Sequence, residues 1–218
     1  MNATRCESKP WPRPMAALAL ALFAAGGCAD PMSPQADQIA ERLAVTPQTG
    51  TLKLFTFDTP EPSDPWRIIN DTVMGGRSSS RMDVTERGTA VFSGTISLAN
   101  NGGFAHTRSM AAPYDLAAYD GIVVRLRGDG KMYKVTLRLD RAFDGVMYQA
   151  GFPTRAGEWV ETRLPFTDFV PTYHGNTLAD RPPPDPSKIA TIGFIVADKQ
   201  AGPFRLEIDW MGAYAAGT

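Results

Sequence analysis

From Leu52 onward, apolar residues recur at every second position in short runs, and nearly every run ends in a turn signal. In Leu52-Lys53-Leu54-Phe55-Thr56-Phe57, for example, Leu52, Leu54 and Thr56 face one way while Lys53, Phe55 and Phe57 face the other. The same period marks 78–84, 89–98, 103–110, 121–127, 133–140, 146–152, 159–165, 189–196 and 204–214, which predicts about ten strands. Between them stand Glu86-Arg87-Gly88, Asn100-Asn101-Gly102-Gly103, Gly128-Asp129-Gly130, Asp144-Gly145 and Ala201-Gly202-Pro203, all turn chemistry. No helical periodicity separates the runs, so parallel βαβ construction is disfavoured and an all-β, antiparallel sandwich of jelly-roll type is expected. Its core would hold Leu126, Val135, Leu137, Leu139, Trp159, Leu164, Ile192, Phe194, Leu206 and Ile208. The longest connection, 167–187, carries Pro171, Pro182-Pro183-Pro184 and Pro186, and is expected to be an extended surface loop without strand pairing.

The first 27 residues read differently. A basic stretch with Arg5, Lys9 and Arg13 precedes an apolar run from Met15 to Ala25 and small residues before Cys28, the order of a secretory signal peptide. The apolar run is about half the ~20 residues that span a bilayer as a helix. Of the chain's 2 cysteines, Cys6 lies in the leader, so Cys28 has no intramolecular partner after cleavage. Small residues followed by Cys at the end of an apolar run resemble a bacterial lipobox. Lipidation at Cys28 would then anchor the chain to a membrane at the periplasmic face, whereas ordinary cleavage nearby would leave it diffusing. Residues 28–51, marked by Pro31, Pro34 and Pro47 around an amphipathic stretch at 35–43, read as a tether. A single sandwich domain then occupies 52–216, within the range of one all-β domain.

Charge names no partner, because 22 Lys and Arg balance 23 Asp and Glu; nucleic acid is not indicated. Catalytic constellations are scarce. The 2 histidines are His106, expected to be a packed strand residue, and His174, expected in a solvated loop. Ser78-Ser79-Ser80 lacks the flanking G-x-S-x-G pattern of a nucleophile elbow. Cysteine and histidine are too few for a zinc site, and no cofactor motif is present. Asp58, Asp71, Asp115 and Asp209 could lend oxygens to calcium, but their spacing does not require it, and no metal is expected.

Polar residues do crowd beside glycines in two segments, Trp66 to Ser78 and Ser97 to Ala105. Amide, carboxylate and guanidinium groups there can either recognise a ligand or cap their own turns. Candidate binding residues are Asn70, Asp71, Met74, Arg77, Asn100 and Asn101, with Arg108, Tyr148 and His174 elsewhere.

These two segments do not stand alone. Together with Leu126-Arg127-Gly128-Asp129-Gly130, Trp159, Leu164-Pro165-Phe166-Thr167-Asp168-Phe169, Ile192-Gly193-Phe194 and the run from Gly202 to Trp210, they resemble the complex I intermediate-associated protein 30 family over nearly all of 52–214. That resemblance implies a galactose-binding-like β-sandwich and a non-enzymatic role. It also implies protein partners, respiratory or envelope complex subunits, since mitochondrial members of the family help to assemble respiratory complex I as chaperones. The alternative is a carbohydrate-binding module, with Tyr148, Trp159 and Tyr173 as stacking platforms. The lipid anchor has its own test: palmitate labelling and globomycin sensitivity of the full chain should both vanish in Cys28→Ala, and labelling that survives the substitution would refute the anchor.

Overall fold

A computed structural model describes residues 50–58, 66–142 and 144–216. The leader, Cys28, the stretch at 35–43 and all but the end of the tether lie outside the described residues. All ten expected strands are present. Three more are β2 (Arg67–Asn70), β10 (Val170–Tyr173) and β11 (Asn176–Thr177). The others are β1 (Gly50–Thr56), β3 (Ser79–Val84), β4 (Ala90–Ile96), β5 (Ala105–Arg108), β6 (Gly121–Arg127), β7 (Met132–Arg138), β8 (Met147–Pro153), β9 (Trp159–Pro165), β12 (Thr191–Val196) and β13 (Gly202–Ala215). One sheet runs β3-β4-β13-β6-β9 with β1 also on β13; the other runs β11-β10-β8-β7-β12-β5-β2. Every pairing between these strands is antiparallel.

The core lies between the sheets and follows from the period of two. Ile122, Val124 and Leu126 of β6, Tyr133, Val135 and Leu137 of β7, and Ile192, Phe194 and Val196 of β12 all point inward. Strand β13 keeps this phase through Leu206 and Ile208, slips at a bulge between Ile208 and Trp210, and resumes with Met211 and Ala213. A second bulge between Lys53 and Phe55 breaks the alternation expected for the first strand, so that Leu54 and Phe55 both pack against the core. Phe55 meets Trp66 at 5.2 Å and Tyr114 at 5.8 Å between ring centroids, and Trp66 stacks on Phe194 at 6.1 Å.

Two expectations are corrected. Trp159 is not a core residue: it opens edge strand β9 opposite Arg127, on the outer face. The connection at 167–187 is not free of pairing, because Val170, Pro171 and Thr172 pair with Gln149, Tyr148 and Met147. Pro171 is tolerated there because β10 stands one strand from the sheet edge and uses its carbonyl, which accepts from the Leu178 N–H at 2.9 Å.

On the inner strand β12 of the seven-stranded sheet, Gly193 faces Arg108 on one side and Thr136 on the other. A Cβ at Gly193 would collide with the Thr107 carbonyl and come within 2.9 Å of Arg108 Cβ and Thr136 Oγ1. Gly193→Ala should therefore lower the unfolding free energy by about 1–3 kcal/mol, as overpacked cores do, seen as an earlier urea midpoint at unchanged m-value.

Candidate functional site

Strands β2 and β5 belong to one sheet and β3 and β4 to the other, so the connections 71–78 and 97–104 both cross between sheets. They cross at the same end and are stitched together by one side chain. Asp71, 1% exposed, begins a 3-10 turn, Asp71–Met74, immediately after β2. Its Oδ1 accepts from the Ser78 N–H at 2.8 Å; its Oδ2 accepts from the Ser78 hydroxyl at 2.5 Å and from the amides of Gly103 at 2.6 Å and Phe104 at 3.4 Å. The Ser78 hydroxyl in turn accepts from the Ser97 N–H at 3.0 Å. Asn100 closes the clasp from outside by donating its amide to the Gly75 carbonyl at 3.0 Å.

The glycines of both segments serve this carboxylate. Gly75 adopts φ 86, the left-handed conformation that ends the 3-10 turn. Gly76 and Gly102 are required for contact, since a Cβ at either position would press into the Asp71 carboxylate itself. Burial works against ionisation of Asp71, but the Ser78 hydroxyl and the Gly103, Ser78 and Phe104 amides outweigh it and hold the carboxyl below its ordinary 3.8.

Six of the sequence candidates thus converge on this clasp. Asn70 Oδ1 accepts from the Ser80 hydroxyl at 2.6 Å, and Met74, Arg77, Asn100 and Asn101 lie exposed around the buried Asp71. Both readings of the polar segments meet here: Asn70 and Asp71 cap and cross-link the backbone, and the exposed residues face outward. The same two crossings also expose apolar side chains that the sequence candidates did not include, Val73 at 60% and Leu98 at 44%, besides Met74 at 72%. Exposed apolar tips carry no periodicity, so only the surrounding turn glycines could have marked them.

The other three candidates lie apart. Tyr148 is 6% exposed in the core, so its ring is not a platform, because in register with Leu137 it points inward from β8. Arg108 is buried on the outer face of β5, directly opposite Arg67 on β2. His174 is exposed, stacks on Tyr173 at 4.1 Å and meets the Asp144 carboxylate at 3.1 Å. His106 is buried and pairs with Thr136 at 3.0 Å; burial, then the charges of Arg108 and Arg138, push it down to about 3, which leaves it neutral and structural. Trp159 is covered by guanidinium groups, Arg127 at 4.9 Å and Arg125 at 5.7 Å from the ring centroid. Among the described residues no three His, Cys, Asp or Glu side chains form a metal-ligand group. Of the aspartates weighed for calcium, Asp71 is taken by the clasp donors and Asp209 by Arg125 at 2.8 Å.

A family model described as complex I intermediate-associated protein 30 matches residues 55–208. The Mus musculus protein named complex I intermediate-associated protein 30, mitochondrial, is 30% identical over 183 residues, covering 74% of this chain and 55% of the mouse protein. A Drosophila melanogaster protein of the same name is 29% identical over 182 residues, covering 73% of this chain and 61% of the fly protein. The chain thus spans little more than half the length of these curated relatives. Among solved structures, a family 11 carbohydrate-binding module from Clostridium thermocellum, in complex with a β-1,3-1,4-mixed-linked tetrasaccharide, superposes with a TM-score of 0.56 at 16% identity. That match covers 78% of this chain and 98% of the module, and shows a shared fold.

Since Asp71 has a depressed pKa when folded, its contribution to stability is present above the ordinary value of 3.8 and is lost as pH falls through the lower folded value. Asp71→Asn should cost about 1–3 kcal/mol at pH 7, because an amide nitrogen would face buried donors, and should flatten the fall of stability below pH 4 in urea titrations.

Proposed function

The chain belongs to the complex I intermediate-associated protein 30 family, and we propose that it is a non-enzymatic binding protein that holds polypeptide partners during the assembly of a membrane-bound complex. The observation that carries this reading is the Asp71 clasp. It spends a buried ionised carboxylate on fixing two loops, and the side chains those loops expose include Val73, Met74 and Leu98, large apolar groups, and Arg77. Apolar side chains held in water on a rigid support suit a protein surface, where such groups supply contact area and a nearby guanidinium supplies direction. The names of the mouse and fly relatives, complex I intermediate-associated protein 30, support the class of partner, polypeptides of a multi-subunit complex.

The leader and Cys28, read from the sequence, make the place of action the periplasmic face of the cell envelope, with a lipid at Cys28 as anchor. A carbohydrate reading is weaker on the geometry. Of its three platforms, Tyr148 is in the core, Trp159 is covered by Arg127 and Arg125, and only Tyr173, at 41% exposure, presents a ring.

A photo-crosslinking residue at Met74 in the full chain, activated in native membranes and read by mass spectrometry, should capture polypeptide subunits of one complex. Met74→Asp should reduce recovery of that complex at least fivefold in a pull-down while moving the melting temperature little, since exposed positions change stability by about 0.5 kcal/mol or less. Crosslinks to no polypeptide above background would overturn the reading.

A further inference from the structure

The outer face of the six-stranded sheet carries a second constellation, at the opposite end of the β3–β4 hairpin from the clasp. An open cleft of about 350 Å³ is lined by Thr85, Glu86, Arg87, Arg127, Arg205 and Glu207. Its floor is Glu207, 5% exposed, whose Oε1 accepts from the Thr89 hydroxyl at 3.0 Å. Glu207 Oε2 is shared by two guanidinium groups, Arg127 at 2.7 Å and Arg205 at 3.3 Å.

A guanidinium has five N–H donors in a planar fork, and the Glu207 contacts use one nitrogen of each arginine. Arg127 is oriented by Trp159, whose ring centroid lies 4.9 Å from its central carbon. The backbone of Arg205 is fixed as well, because its N–H donates to Asp129 Oδ2 at 2.9 Å, past the end of β6. Arg87 comes from the β3–β4 turn, where its N–H donates to Thr85 Oγ1 at 3.3 Å. Three guanidinium groups therefore line the cleft with two carboxylates, Glu86 and Glu207, leaving one positive charge in excess. The neighbouring acids are engaged elsewhere: Asp83 with Arg81 at 2.6 Å, Asp129 with Tyr133 and the backbone of Lys131 and Arg205.

We propose that this cleft binds the carboxylate of an acidic side chain on a partner polypeptide, in the forks of Arg127 and Arg205 with Arg87 closing over it. One excess charge matches a monoanion better than a phosphate dianion, and the planar fork of a guanidinium matches the flat carboxylate. Glu207 acts as a positioning residue, holding both forks side by side against their mutual repulsion. The proposal rests on the polypeptide reading above only for the source of the carboxylate, and it concerns a different surface.

The test is a titration of the full chain, labelled with nitrogen-15, observing arginine Nε–H resonances. Three probes are compared: a blocked peptide carrying a single glutamate, its glutamine twin, and inorganic phosphate. The glutamate peptide should move the Arg127 and Arg205 signals to saturation, and the glutamine twin should not. Arg87→Gln and Arg205→Gln, which leave the Arg127–Glu207 pair in place, should each weaken binding roughly tenfold with the amide spectrum preserved. No saturable shift, phosphate binding as tight as the peptide, or unchanged affinity in both variants would overturn the proposal. Because Met74 crosslinking reports on the clasp alone, failure here and failure of the polypeptide reading are separately visible.

Discussion

Strand β13 is the constraint on which the architecture turns. Its 14 residues pair with β4 through the first half, with β1 through the second, and with β6 along the other side. A strand this long would twist its inward row out of the core if the alternation ran unbroken. The bulge at Asp209 absorbs one residue and returns Met211 and Ala213 to the interior. Where β6 ends, Asp129 continues the ladder by accepting the Arg205 N–H, so the backbone of β13 is satisfied beyond the reach of its neighbour. The same arrangement brings Arg205, Glu207 and Arg127 together on the outer face, so the cleft is a by-product of how β13 is held.

How much of this was legible in the sequence depended on whether a residue's role was local. The ten period-two strands were readable because burial on one face writes itself into alternate positions, as in Val135 and Leu137 or Ile192 and Phe194. Strand β2 escaped because four residues, Arg67 to Asn70, are too few to show a period. Strand β10 escaped because Pro171 argues against pairing unless the neighbouring strand order is known. Trp159 was misplaced for a related reason. Its size suggested burial, while the guanidinium groups that cover it come from β6, far away in sequence.

The candidate site shows the same division. Asn70, Asp71, Met74, Arg77, Asn100 and Asn101 could be singled out from turn composition, and the structure brings them to one end of the sandwich. What composition could not convey is that they divide into an inner and an outer layer. The Asp71 carboxylate turns inward and is consumed by backbone amides, whereas Met74, like Val73 and Leu98, is exposed. Tyr148 and His174 were drawn in by residue type alone, and strand phase and loop position then sent one to the core and the other to a surface pair with Asp144.

Gly76 and Gly102 lie against the same carboxylate from opposite crossings, 26 residues apart in the chain. A side chain at either glycine needs the space that Asp71 fills, and shortening or removing Asp71 strands the donors of the other crossing. The three positions therefore constrain one another as a block. A change at residue 71 would free space for a side chain at either glycine only by leaving those buried donors unmet, so no single second change repairs the clasp.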